Sequence, residues 1–174
     1  MAYALVSTTA AATVVAPIVK TAVFTKAAQN DAVMFTDEAG VLPLEVRVIT
    51  NAASGSNNSA ETWGYGTIVA NGTHAAAATT IAYDGAVSDE RLSGGYFVMN
   101  PYTGEIMYVQ QDSGYNSTSG NLTVTRGALG TTAAQITDNH YLFVMNVLTL
   151  NGSTTGKIMM TYLSLGRDPK GEWF

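Results

Sequence analysis

EIMYVQQDSGYNSTSGNLTVTRGALGTTAA, residues 105–134, reads as one long β-hairpin running into a tight Arg-Gly turn. Glu105, Met107 and Val109 alternate with Ile106 and Tyr108, the two-residue period of a strand with both faces occupied. A polar loop rich in Ser, Gly and Asn follows, and Leu122, Val124 and Arg126 form a second alternating run. Folded about its middle, the segment sets Val109 opposite Leu122, Met107 opposite Val124 and Glu105 opposite Arg126. Two apolar pairs and one opposite-charge pair then share a face, each worth roughly 0.2–1 kcal/mol. Glu105 and Arg126 are expected to be a fold-defining pair. Gly127 and Gly130 come without the third glycine or the lysine of a phosphate loop, and are expected to permit positive φ in the turn.

Working outward, short strands are expected at Ala32–Thr36, Leu44–Thr50, Trp63–Ala70, Thr79–Tyr83 and Tyr96–Asn100. Asn71-Gly72 favours a tight turn between the third and fourth of these, with the Ala75–Ala78 run lengthening that loop. Tyr141–Leu150 and Lys157–Leu165 are expected to pair as a second hairpin, turned at Asn151-Gly152. The segment NAASGSNNSA, residues 51–60, has the composition of an exposed loop, and Asp84–Gly95 is a polar connection carrying Asp89-Glu90-Arg91. Strands at intervals of roughly eight to twelve residues, with turn residues between, predict an all-β fold, a β-sandwich or barrel-like domain over residues 31–174. Residues 1–30 are almost uncharged, small and β-branched, with Pro17 in their middle. They are expected to form an extended N-terminal arm with a short strand near Thr21–Thr25, lying across a neighbouring subunit or packing on its own domain.

The chain has 174 residues, of which 47% are hydrophobic and only 12% charged, against a usual charged share of roughly 25%. Either much of the surface becomes subunit contact, where charge is depleted, or an exposed β-surface is simply weakly charged. Net charge is −5, and the eight Lys and Arg are scattered. Phosphate neutralisation and polybasic membrane attachment therefore have little to work with, so neither nucleic acid nor membrane is an expected partner. With no cysteine, disulfides and thiolate metal sites are excluded. No positive charge precedes Lys20, and Thr, Ser and Pro17 interrupt the apolar N-terminal run. Secretory and membrane-spanning roles are both disfavoured, and synthesis in a cytoplasm with assembly there fits better.

Catalytic chemistry has few candidates. His74 and His140 stand apart from carboxylates in sequence and outside metal-ligand spacing, although folding could bring His140 near Asp138 and a serine. Asp84, Asp89, Asp112 and Asp138 could offer oxygen ligands to calcium, but without a D-x-D-x-D run they read as solvated turn carboxylates. No enzyme, cofactor or metal centre is expected. Trp63, Tyr65, Tyr96, Tyr102 and Tyr115 could stack on sugars, Trp63 and Tyr115 being the candidate glycan contacts, while core packing is the commoner use of such rings. Sequons at Asn57, Asn71, Asn116, Asn121 and Asn151 follow from a composition rich in Asn, Ser and Thr.

The strand E-I-M-Y-V, its polar loop and the run N-L-T-V-T-R-G-A-L-G-T-T-A-A resemble a module recurring in virion proteins of tailed bacteriophages. The matching residues are Glu105, Val124, Arg126, Gly127, Gly130, Thr131 and Ala133, and residues 79–104 fit more loosely. Head, neck and tail components share the module. The resemblance, with the all-β pattern, low charge and small size, implies a non-enzymatic structural protein, foremost a capsid decoration (cement) protein. Its expected partners are the major capsid protein or other virion proteins and further copies of itself, a trimer if it decorates the shell. Its expected location is the virion, on the capsid surface or the tail. A neck or tail component and a glycan-binding adhesin module are the alternatives. Arg167, Trp173 and Phe174, in the terminal GRDPKGEWF, are candidate subunit contacts, or else close the domain.

Overall fold

The computed structural model of the chain describes residues 18–28, 31–51, 63–86, 91–151 and 156–165. Alternating side chains resolve into strands β1 (Ile18–Lys26), β2 (Asp31–Met34), β3 (Val41–Asn51), β4 (Trp63–Ala70), β5 (Thr80–Asp84), β6 (Tyr96–Asn100), β7 (Glu105–Asp112), β8 (Gly120–Thr125), β9 (Tyr141–Leu150) and β10 (Gly156–Ser164). The expected all-β class is what forms, and its main body is a barrel. Six strands in the order β4-β5-β8-β7-β6-β9 close on themselves through the β6–β9 pairing, a six-stranded barrel with an additional sheet beside it. Closure leaves these strands no unpaired edge along the ring. Ile68, Ile81, Val98, Met107, Val109, Leu122, Val124, Leu142 and Val144 fill the interior. Burying each such side chain stabilises the fold by about 1.5–3 kcal/mol.

Strand β9 belongs to two layers. Its first half pairs Val144 with Gly66 of β4, whereas the next pair is Leu148 with Tyr65, so three residues bulge out of the ladder. Across that bulge Met145 packs outside the barrel beside Ala39, Phe97 and Ala128, while Val147 points into the barrel core. Beyond it Leu148 and Leu150 enter a separate core. Where β9 departs from β6, β2 and the residues after it fill the opening. Val33 pairs with Leu148, Phe35 N–H donates to Asn146 O (2.9 Å), and Phe97 N–H donates to Ala39 O (2.6 Å).

The second core lies under a three-stranded sheet in the order β1-β10-β3. Ala22, Phe24, Val46, Val48, Ile158, Met160 and Tyr162 pack there with Val33, Phe35, Tyr65, Leu148 and Leu150. Within the stretch expected to be an extended arm, Ile18–Lys26 is thus a full strand, longer than Thr21–Thr25 and paired along its length with β10. Residues 1–17, most of the 51–60 loop, and the terminal segment with Arg167, Trp173 and Phe174 lie outside the described residues.

Two pairings differ from expectation. β9 and β10 do not form a hairpin: β10 is the central strand of the small sheet, and β9 pairs with β2, β4 and β6. Sequential strands neighbour one another only about two-thirds of the time. Here the burial of both faces of β9 makes it a central strand with no side left for β10. The β7–β8 register is also offset, with Val109 opposite Val124 and Asp112 opposite Leu122. The strands extend into the polar residues up to Asp112, and Gln110 bulges out of the ladder between Val109 and Gln111.

Candidate functional site

Charge is scarce in this chain, and three of its carboxylates are spent inside the fold. Glu105 opens β7 and Arg126 follows the last residue of β8, so the expected pair forms despite the shifted register. Arg126 Nε and Nη2 donate to Glu105 Oε1 and Oε2, each at 2.7 Å, a bidentate fork with side chains 7% and 0% exposed. Nη1 donates to Ala75 O and Ala78 O (both 3.0 Å), and Nη2 also donates to Ala134 O. All five guanidinium N–H groups therefore have acceptors. Glu105 is equally occupied, because Gly127 N–H (3.2 Å) and Ala134 N–H (3.1 Å) add to the two guanidinium donors.

The turn after Arg126 supports this arrangement. Gly127 (φ 63) and Gly130 (φ 79) take positive φ, as expected of them. A Cβ on Gly127 would lie 2.7 Å from Thr131 O. Leu129 adopts φ 54 between the two glycines, a left-handed conformation that costs a non-glycine residue about 1–2 kcal/mol. Thr131 closes the turn, its hydroxyl accepting from Ile106 N–H (2.9 Å) and donating to Ala128 O (2.8 Å). The latch thus ties together β7, the end of β8, the β4–β5 loop and residues 126–134.

Burial pushes the Glu105 carboxyl up, but the hydrogen bonds from Arg126, Ala134 and Gly127 and the guanidinium charge overcome it and hold it below its ordinary value. A depressed carboxyl contributes stability that is present above its unfolded value, about 4.3, and is lost as pH falls through the lower folded value. Urea midpoints of the wild type should therefore drop more steeply below about pH 4 than those of Glu105→Gln, which has no such proton to take up. Parallel curves for the two proteins would contradict this.

A second latch was not visible in the sequence. Arg91 and Asp112 are joined at 3.1 Å with side chains 2% and 0% exposed. Asp112 Oδ1 accepts from Tyr83 OH (2.6 Å) and Gly114 N–H (2.9 Å), and Oδ2 accepts from Arg91 Nε and Tyr96 OH (2.9 Å). Arg91 Nη2 donates to Gly114 O (2.7 Å) and Ser117 O (3.1 Å), and its guanidinium lies 5.0 Å from the Tyr83 ring centre. Burial, then the Asp112 hydrogen bond, raises the Tyr83 phenol. Burial and the Asp112 charge do the same for Tyr96. Both hydroxyls stay protonated donors across the physiological range. Asp112 is a structural anchor and not the solvated turn carboxylate expected, because its four lone-pair positions are filled from three strands and a turn.

The third carboxylate, Glu38, joins the β2–β3 turn to the small sheet. It accepts from Lys20 Nζ (2.5 Å), from Ser164 Oγ and, at 3.4 Å, from Tyr162 OH. A cleft of about 400 Å3 opens beside it, lined by Lys20, Met34, Phe35, Thr36, Asp37 and Tyr162. Burial, followed by the Glu38 charge, raises the Tyr162 phenol.

The other candidates are placed as follows. His140 stacks on Tyr102 (centroids 4.1 Å apart), and its buried Nδ1 has no hydrogen-bond partner. Asp138 accepts instead from Gly72 N–H (2.7 Å) and Asn139 Nδ2 (2.8 Å). His74 forms a β-bridge with Ile136. Asp84 is exposed at the end of β5, and Asp89 lies outside the described residues. Among the described residues no group of three or more His, Asp or Glu is placed to hold a metal ion. Trp63 sits against Tyr65 at the start of β4 and Tyr115 lies in the β7–β8 turn, each partly exposed, with no ring contact between them. Tyr96 is wholly buried and Tyr65 hydrogen-bonds Val41 O (2.8 Å), so neither presents a free ring to solvent.

Among the described residues no helix is long and apolar enough to cross a membrane. In comparison with known proteins, no family model matches the chain and no curated protein matches it in sequence.

Proposed function

We propose that this chain is a non-enzymatic structural protein of a tailed-bacteriophage virion, a decoration (cement) protein of the outer capsid. The observation that carries the reading is the Glu105–Arg126 latch. Residues on which the resemblance rests, Glu105, Arg126, Gly127, Gly130 and Thr131, are parts of one hydrogen-bonded unit that braces the barrel. Their chemistry is spent on rigidity, as suits a part whose work is to be held between other proteins. A 12% charged content leaves neutral polar and apolar surface that subunit contacts can dehydrate at low cost. Bound to the expanded shell in preference to its precursor, such a protein stabilises that state by mass action.

Quantitative mass spectrometry of purified virions tests the assignment. Decoration requires copies in proportion to the capsid lattice, and purified protein should bind expanded shells lacking it. A few copies per particle, retained with tails after heads are removed, would move the chain to the neck or tail, where the same module occurs.

A further inference from the structure

The outward face of the three-stranded sheet is apolar and lacks a cover. Of the ten large hydrophobic residues exposed among the described residues, five lie on this face or at its bulged rim: Val19 (58%), Val23 (56%), Leu42, Leu44 and Ile49. The register makes them continuous. Val19, Leu163 and Leu42 form one row across the sheet, and Val23, Met159 and Arg47 another. Leu44 and Ile49 are the residues skipped at the two bulges of β3. The opposite face is already packed on the second core. A sheet apolar on both sides is characteristic of one covered on both sides.

Size argues what the cover is. Strands of nine residues at ~3.3 Å each, three abreast at ~4.8 Å, give a face of roughly 30 by 14 Å, or about 430 Å2. That is about half of the ~800 Å2 each partner contributes to a stable interface, so a second copy laid face to face falls short. A tethered segment needs far less area, because it loses no translational or rotational freedom on docking. The seventeen residues before Ile18, MAYALVSTTAAATVVAP, contain no Asp, Glu, Lys or Arg. They join β1 at Ile18, beside the Val19 row and the end of the face. At ~3.3 Å per residue they reach about 56 Å, enough to turn back and run the full length of the sheet.

We propose that residues 1–17 of the same chain cover the outward face of the three-stranded sheet. The face is then closed in the free chain, whatever particle the chain joins. The chain has no cysteine, so a single thiol at Val23→Cys reports on the face, and one at Tyr115→Cys, in the β7–β8 turn, serves as control. Maleimide labelling at Val23→Cys should accelerate about tenfold or more when Leu5, Val14 and Val15 are changed to Asp in the full chain, while the control rate stays constant. Equal Val23→Cys rates in both backgrounds would overturn the proposal. So would protection that disappears on about a hundredfold dilution, which identifies a second copy as the cover. Should the triple variant not fold, hydrogen exchange of the unaltered chain decides the matter. Amides of residues 3–16 exchanging at free-peptide rates would overturn the proposal, and slowed exchange that persists on dilution would support it.

Discussion

Arg126→Ala should lower unfolding free energy by about 3–5 kcal/mol, the usual consequence of removing one partner of a buried ion pair. The size follows from what is stranded. Glu105 keeps its charge at 0% side-chain exposure, and the carbonyls of Ala75, Ala78 and Ala134 lose their donor together. Urea titration followed by circular dichroism measures the loss, and a change below about 1 kcal/mol would mean that the pair behaves as a surface salt bridge. Arg126→Leu combined with Glu105→Leu should recover part of it, since no lone charge is then buried. Recovery stays incomplete because the Gly127 and Ala134 N–H groups and the three carbonyls remain without partners. A double-mutant cycle separates the pair from this backbone contribution.

Asp112→Asn should be of similar size, about 3–5 kcal/mol, although it hardly changes volume. The carboxylate accepts four donors, from Tyr83, Tyr96, Arg91 and Gly114. An amide offers one oxygen and turns NH2 towards groups that are themselves donors. The Arg91 charge is then left among buried rings. For a domain of this length a 3 kcal/mol loss corresponds to roughly 6–12 °C in melting temperature. An unchanged melting temperature would show that the network contributes nothing net. The Arg91→Met, Asp112→Leu pair tests whether the buried charges matter in themselves or only when one is left alone.

Strand positions were largely legible in the sequence, and strand partners were not. Trp63–Ala70, Tyr96–Asn100 and Tyr141–Leu150 occupy the residues their alternation predicts. Alternation is local and carries no information about which edge meets which. The β9–β10 hairpin was therefore a default from adjacency, overturned because β9 is buried on both sides. In the β7–β8 hairpin the polar stretch from Gln110 to Asn121 looked like loop throughout. Its ends are strand because Asp112 finds hydroxyl donors on β5 and β6, a contact invisible along the chain.

The two latches divide in the same way. Glu105 and Arg126 were readable because each ends an alternating run and a glycine turn follows. Arg91 was hidden in Asp89-Glu90-Arg91, which looks like a solvated charge cluster. The only local trace of the second latch is Gly114, two residues after Asp112, whose N–H the carboxylate accepts. A Cβ there would lie 2.2 Å from Ser119 O and 2.6 Å from Tyr83 OH, so only glycine lets the turn close over the network.

The pairing of β1 with β10 has a consequence for how the molecule is made on the ribosome. All six barrel strands come from one uninterrupted stretch, 63–150, and can close as soon as that stretch has emerged. The small sheet cannot, since its central strand is the last of the described strands to be synthesised and its outer two are among the first. β1 and β3 therefore wait through the production of the whole barrel for the strand that joins them. Such distant pairing slows folding, and it places the vulnerable interval of this chain at the end of its synthesis.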